Sequence, residues 1–195
     1  MSFIAFLGCD GSGKSAVIRE VTHRLEAEGL TVTPGHWRPK PFGSSSPASQ
    51  AADDPHGQSP RGFASSILKL GWLWLNWRVA WLLAAGRNAR GGMLLFDRYH
   101  ADLLVDPCRY RYGGPMILAR LASRLMPQPD RVIFLDATPE VLLSRKQEVD
   151  EAALTRSRSA YLDLCRTHPR FKIIDASKPL DEVVSHVMRI IKTAG

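Results

Sequence analysis

A chain of 195 residues with 45% apolar and 23% charged side chains is long enough for one domain with a full core, and its composition excludes intrinsic disorder and collagen-like repetition. The 26 Lys and Arg against 19 Asp and Glu give a formal net charge of +7, which favours anionic partners: nucleotides, phosphorylated small molecules, nucleic acid or an acidic membrane surface. Cys9, Cys108 and Cys165 are an odd number without metal-ligand spacing, so reduced thiols in a cytoplasmic setting are expected.

The opening "MSFIAFLGC" is too short for a secretory signal and lacks its basic start; Phe3 to Leu7 is read as a first strand. Further short apolar runs bounded by turn residues lie at Leu30 to Thr33, Met93 to Phe96, Arg131 to Leu135 and Phe171 to Ile174. Between them lie helical patterns. Ser15 to Glu28 carries Ile18, Val21 and Leu25 on one face with Gly29 as its stop, and the last helix shows Leu180, Val183, Val184, Val187, Met188 and Ile191 after Pro179. Strands alternating with helices predict an α/β fold, a parallel sheet with helices on both faces.

Two stretches stand apart. From Thr33 to Ser66 the chain holds six of its thirteen prolines and seven serines without sustained period, which predicts an insertion, either a mobile functional loop or a disordered one. Ile67 to Gly86 has the length of a bilayer span, but Lys69, Asn76 and Arg78 interrupt it and argue against one. Its helical spacing puts Trp74, Trp77 and Trp81 on one face with Trp72 displaced, a face suited to the core or a subunit interface, or to peripheral contact with a membrane or a lipid-linked acceptor.

Between the first strand and first helix stands "GCDGSGKSA". Gly8, Gly13, Lys14 and Ser15 match G-x-x-x-x-G-K-[ST], the P-loop pattern, in the strand–loop–helix context that the pattern requires. Glycines let backbone amides turn around phosphate oxygens, and the helix start adds its positive dipole end. The phosphate cradle is therefore Gly8, Asp10, Gly11, Ser12, Gly13, Lys14, Ser15 and Ala16, with the Lys14 ammonium on the transferred phosphate and the Ser15 hydroxyl on Mg2+. Asp97 and Arg98 end the third strand, where an acid can hold Mg2+ or its water shell and an arginine can clamp a second phosphate. No N-K-x-D segment reads guanine, which favours ATP over GTP.

Taken together, "GCDGSGKSA", "FDRYHADLL", "VIFLDATPEVLLSRK" and "FKIIDASKPLDEVVSHVMRIIK" resemble, in order and spacing, the thymidylate kinase group of P-loop nucleoside monophosphate kinases. The resemblance covers both ends of the chain and its centre and fades from about Gly35 to Arg90. It implies a three-layer P-loop NTPase fold with a five-stranded parallel sheet, one domain over residues 1–195 with the 33–66 insertion and a lid at about 145–158, and ATP with Mg2+ as donor.

It further implies roles for single residues. Asp10 stands near the acceptor sugar and metal, Arg98 on the acceptor phosphate, and Tyr99 completes the D-R-[YFH] motif. Arg145, Lys146, Arg156 and Arg158 supply basic lid residues, of which Arg145 and Arg156 are the expected catalytic ones, since Gly11-Ser12 stands where some members carry a P-loop arginine. Ala176 borders adenine, and the family's habit of pairing through helices of the central region implies a homodimer.

Departures also show. The family's serine and A-Y-Q sequence after D-R-Y is replaced by "HADLLVDPCRYRYGGP", where Arg109 and Arg111 alternate with Tyr110 and Tyr112 and offer cations and rings to a small anionic acceptor more than to nucleic acid. The expected activity is γ-phosphoryl transfer from ATP to a nucleoside monophosphate, thymidylate or a relative. A phosphorylated sugar or lipid-linked acceptor is the alternative, and a nucleotide-binding regulator without kinase activity a second.

Overall fold

The computed structural model describes residues 2–36, 62–87, 91–145 and 151–193. Five strands, β1 (Ser2–Leu7), β2 (Val32–His36), β3 (Met93–Asp97), β4 (Arg131–Asp136) and β5 (Phe171–Asp175), form one all-parallel sheet in the order β2-β3-β1-β4-β5. The central strand β1 is apolar on both faces because helices cover both. Accordingly Ile4, Ala5, Phe6 and Leu7 are all fully buried.

Helices α1 (Lys14–Ala27) and α7 (Leu180–Lys192) pack against each other and the sheet. The α1 stop works through backbone: Gly29 N–H donates to Glu26 O and Leu30 N–H to Leu25 O, closing the last turn. Of the α7 stripe, Val183, Val184, Val187, Met188 and Ile191 are buried, while Leu180 at the first position stays exposed. On the opposite face lie α2 (Phe63–Arg87), α3 (Ala101–Val105), α4 (Met116–Arg124) and α6 (Glu151–Thr167), with α5 (Pro139–Arg145) beside the P-loop.

Both ends of the 33–66 stretch belong to regular elements, since β2 runs on to His36 and α2 begins at Phe63; residues 37–61 of that stretch lie outside those described. Pro34 and Gly35 read as turn residues in sequence, yet each suits its place. On an edge strand one row of amides serves no neighbour, so proline is tolerated. A Cβ on Gly35 would stand 2.4 Å from the Phe96 ring, so only glycine lets β2 lie over that side chain.

The α2 face is resolved residue by residue. Trp77 is fully buried, with ring centroids 5.9 Å from Phe3, 5.6 Å from Phe96 and 5.6 Å from Tyr99. Trp74 and Trp81 pack partly against the same core. The three-tryptophan face therefore meets the core, which withdraws it from a lipid surface. The outward stripe is instead Leu68, Trp72, Leu75, Val79 and Leu82, all exposed. Among the described residues no helix is long and apolar enough to cross a membrane.

Candidate active site

With every strand parallel, the turns after β1, β3, β4 and β5 emerge at one edge of the sheet, where open α/β folds bind ligands. The P-loop occupies the centre of that edge. Gly11 has φ +85° and Gly13 φ +79°, and a Cβ on Gly11 would stand 2.7 Å from the Leu142 carbonyl of α5. At Gly8 a Cβ would meet Ser12 Oγ at 2.7 Å and Leu135 O at 2.9 Å. Gly8 and Gly11 are thus demanded by close approach, Gly11 by backbone conformation as well, and Gly13 by backbone conformation alone.

Lys14 is curled into this loop. Its Nζ donates to Gly8 O at 2.7 Å, to Cys9 O at 3.0 Å and to Ser12 Oγ at 3.3 Å. Burial, with the Arg98 guanidinium adding to it, lowers its pKa to about 8. The neighbouring Cys9 thiol is pushed up to about 11 by burial, so it is a packed side chain and not a nucleophile. Ser15, on the first turn of α1, is exposed.

The turn after β3 supplies the counterpart. Arg98 N–H donates to Phe6 O at 2.9 Å, which holds Arg98 at φ 66°, a left-handed conformation costing about 1 kcal/mol for a side chain of this kind. From there Nη2 reaches Asp10 Oδ1 at 2.7 Å and Nη1 reaches Asp102 Oδ2 at 2.5 Å. Arg109 Nη2 meets the same Asp10 carboxylate at 3.0 and 3.2 Å. Burial alone would raise Asp10, but the Arg109 and Arg98 guanidiniums outweigh it and hold the carboxyl down at about 2. Asp97 Oδ1 is buried without a hydrogen-bond partner. Together with the Ser15 hydroxyl it offers hard oxygen donors of the kind Mg2+ takes, so these residues fit that ion; no cluster of three or more His, Cys, Asp or Glu competes among the described residues.

The acceptor loop differs from its sequence reading. Tyr99, Tyr110 and Tyr112 are all buried, and their hydroxyls donate to Pro127 O at 2.9 Å, Asp102 Oδ2 at 2.9 Å and Pro115 O at 3.0 Å respectively. Their rings therefore build the walls of the region and do not stand free to stack on a ligand. Arg111 sits in a left-handed turn at φ 51°, two residues beyond Arg109.

On the lid side, Arg145 Nη1 donates to Ala176 O at 3.0 Å, joining the end of α5 to the turn after β5. Ala176 N–H donates to Asp136 O at 2.6 Å, and its side chain is buried. Arg156 is exposed and lines an open cavity with Glu151, Ala152 and Thr155. Arg158 instead pairs with both oxygens of Asp136, at 2.7 and 2.8 Å. Lys146 and the rest of 146–150 lie outside the described residues.

Three residues of this arrangement escaped sequence reasoning: Asp102, Asp136 and Tyr161, whose hydroxyl donates to Asp102 Oδ1. The Arg98–Asp102 spacing of four residues was a readable signal for one helical-type ion pair. The Tyr161 contact spans 59 residues and had none.

A glycine-cornered loop between a central parallel strand and a helix, with a buried lysine in its curl and an acid–arginine pair on the adjoining strand, defines a P-loop nucleotide-binding α/β protein. The comparisons sharpen this. A family model for thymidylate kinase matches residues 77–187, more than half of the chain. The chain is 28% identical to the thymidylate kinase of Symbiobacterium thermophilum, covering 97% of this chain and 92% of that protein. It is 28% identical to the thymidylate kinase of Chlamydia caviae, covering 95% of each, and 25% identical to a probable thymidylate kinase of Sulfolobus acidocaldarius, covering 98% and 96%. The chain belongs to the thymidylate kinase family.

Proposed function

We propose that this protein transfers the γ-phosphoryl group of ATP to thymidylate. The observation that carries this reading is the convergence of Arg98 and Arg109 on Asp10, at 2.7 and 3.0 Å, which sets two guanidiniums beside the P-loop where an acceptor phosphate must face the donor. The family match and the names of its relatives supply the acceptor.

In this reading the P-loop amides and Lys14 hold the donor phosphates, while Arg98 holds the acceptor phosphate in line with them. Arg109 and Arg111 add positive charge to the acceptor loop. Asp97 and Ser15 would hold Mg2+, which supplies charge neutralisation on the phosphates when bound. Arg145, at the end of α5, and Arg156, in the second turn of α6, bring charge toward the transferred group, and Ala176 borders the base of ATP. Residues 1–195 act as one kinase domain. The free thiols of Cys9 and Cys165 support a reducing, cytoplasmic setting.

Purified protein given ATP, Mg2+ and thymidylate should form ADP only with the acceptor present. Lys14→Ala should reduce the rate by roughly a thousandfold or more while circular dichroism stays unchanged. Full-rate ATP hydrolysis without acceptor, or turnover untouched by Lys14→Ala, would refute the assignment.

We also infer a homodimer through the outward stripe of α2. Leu68, Trp72, Leu75, Val79 and Leu82 are exposed, and their alternating steps of four and three residues form a seam that a second copy can share across a twofold axis. Ile117 and Leu121 of the neighbouring α4, and Leu125 just past its end, are exposed too. Sedimentation should give twice the chain mass; a monomer that floats with anionic vesicles would put a lipid surface on this face instead.

A further inference from the structure

Asp102 is 1% exposed, yet its carboxylate has three donors. Oδ2 accepts from Arg98 Nη1 at 2.5 Å and from the Tyr110 hydroxyl at 2.9 Å, and Oδ1 accepts from the Tyr161 hydroxyl. The donors come from three separate places: the turn after β3, the short 3-10 turn Cys108–Tyr110, and helix α6. A carboxylate so buried is tolerated only because a guanidinium and two hydroxyls meet it.

The geometry divides the Arg98 fork. Nη1 is committed to Asp102 in the core, which leaves Nη2 aimed at Asp10 and the P-loop. Tyr110 fixes the residue next to Arg109, whose own guanidinium also meets Asp10. Tyr161 stacks on Phe134 with centroids 4.9 Å apart, and three residues earlier on the same helix Arg158 pairs with Asp136. The middle of α6 is thus tied twice, once to the end of β4 and once to Asp102.

We propose that Asp102 is a positioning residue for phosphoryl transfer: from inside the core it orients the Arg98 guanidinium and couples that arginine to the acceptor loop through Tyr110 and to helix α6 through Tyr161. The inference rests on the function proposed above.

Tyr161→Phe and Tyr110→Phe each remove one hydroxyl and leave the ring in place, and Asp102→Asn replaces an acceptor pair with an amide that cannot receive all three donors. Tyr161→Phe should lower kcat about fivefold with both KM values within about twofold, whereas Tyr110→Phe should raise the acceptor KM about fivefold with kcat held. Asp102→Asn should raise the acceptor KM roughly tenfold or more while the ATP KM moves less than about twofold. A purely structural cluster predicts no such split: an unchanged kcat in Tyr161→Phe with an unchanged acceptor KM in Tyr110→Phe and Asp102→Asn, or activity lost only in step with folded protein, would overturn the proposal. Should Asp102→Asn fail to fold, the two phenylalanine variants still decide.

Hydrogen exchange without nucleotide gives a second readout that does not depend on the acceptor. In Tyr161→Phe, faster exchange in residues 151–161 and also in residues 106–115 supports the coupling. A change confined to α6 overturns it. If wild-type protein fails to phosphorylate thymidylate, the functional assignment falls, and the exchange result still judges the role of Asp102.

Discussion

The Arg98 guanidinium and the Asp10 carboxylate meet at 2.7 Å, joining the turn after β3 to the P-loop. Neither side chain is well exposed, and Arg109 closes on the same carboxylate. Asp10 is therefore the keystone between two cations that would otherwise repel one another.

Removing that charge should be costly. Asp10→Asn is expected to lower stability by about 1 to 3 kcal/mol at neutral pH, read from the urea midpoint, because a partly buried arginine loses its partner. The Asp10 carboxyl is held at about 2 against an ordinary 3.8, so its contribution is complete above about 3.8 and disappears as pH falls through about 2. Wild type and variant should therefore converge in strong acid, and a gap that persists there would count against the pairing.

Lys14 titrates in the opposite sense. Its folded value of about 8 lies below the ordinary 10.5, so between these the unfolded chain binds more protons and stability should rise with pH. Lys14→Met should flatten that rise. Donor binding needs the ammonium form, so kcat/KM for ATP should fall above pH about 8, whereas kcat, which reports the amine beside bound phosphates, should hold to higher pH. A pH profile of kcat/KM that stays level to pH 10 would contradict this.

The close contact between the P-loop and α5 predicts a local defect. In Gly11→Ala the new methyl has nowhere to go but the Leu142 carbonyl, and the backbone conformation is strained as well. The dissociation constant for an ATP analogue should rise about tenfold or more, measured by calorimetry, with the far-ultraviolet spectrum intact. Binding at wild-type strength would mean that the loop can shift without losing its cradle.

Two tryptophans of one helix should behave in opposite ways. Trp77→Ala removes a fully buried ring from the Phe3, Phe96 and Tyr99 cluster and should cost about 3 to 5 kcal/mol. Trp72→Glu lies on the exposed stripe and should cost little stability. Its effect should instead be seen in sedimentation, as a shift from dimer to monomer.

These contrasts show what a linear reading reaches. The strands and the donor loop were legible because their signals are local: a short apolar run, a glycine corner, a lysine at fixed spacing. The tail of β2 was not, because Pro34 and Gly35 are turn residues by preference. Only the strand's edge position and the Phe96 ring beneath it make them suitable. The Arg–Tyr alternation of residues 109–112 looked like an exposed ligand loop. Its arginines and tyrosines part company because the hydroxyls find Asp102 and the Pro115 carbonyl, while Arg109 finds Asp10. Tryptophan spacing on α2 was read correctly as one face, but which side that face would turn to depends on Phe3 and Phe96, strands distant in sequence.

Pro34 has one more effect. Among the described residues β2 ends the sheet, and a terminal strand is a template on which stray chains can lengthen the ladder; an imino acid in its rim withholds a rung. The same residue that disguises β2 from a reader of the sequence thus guards the molecule against growing into fibres.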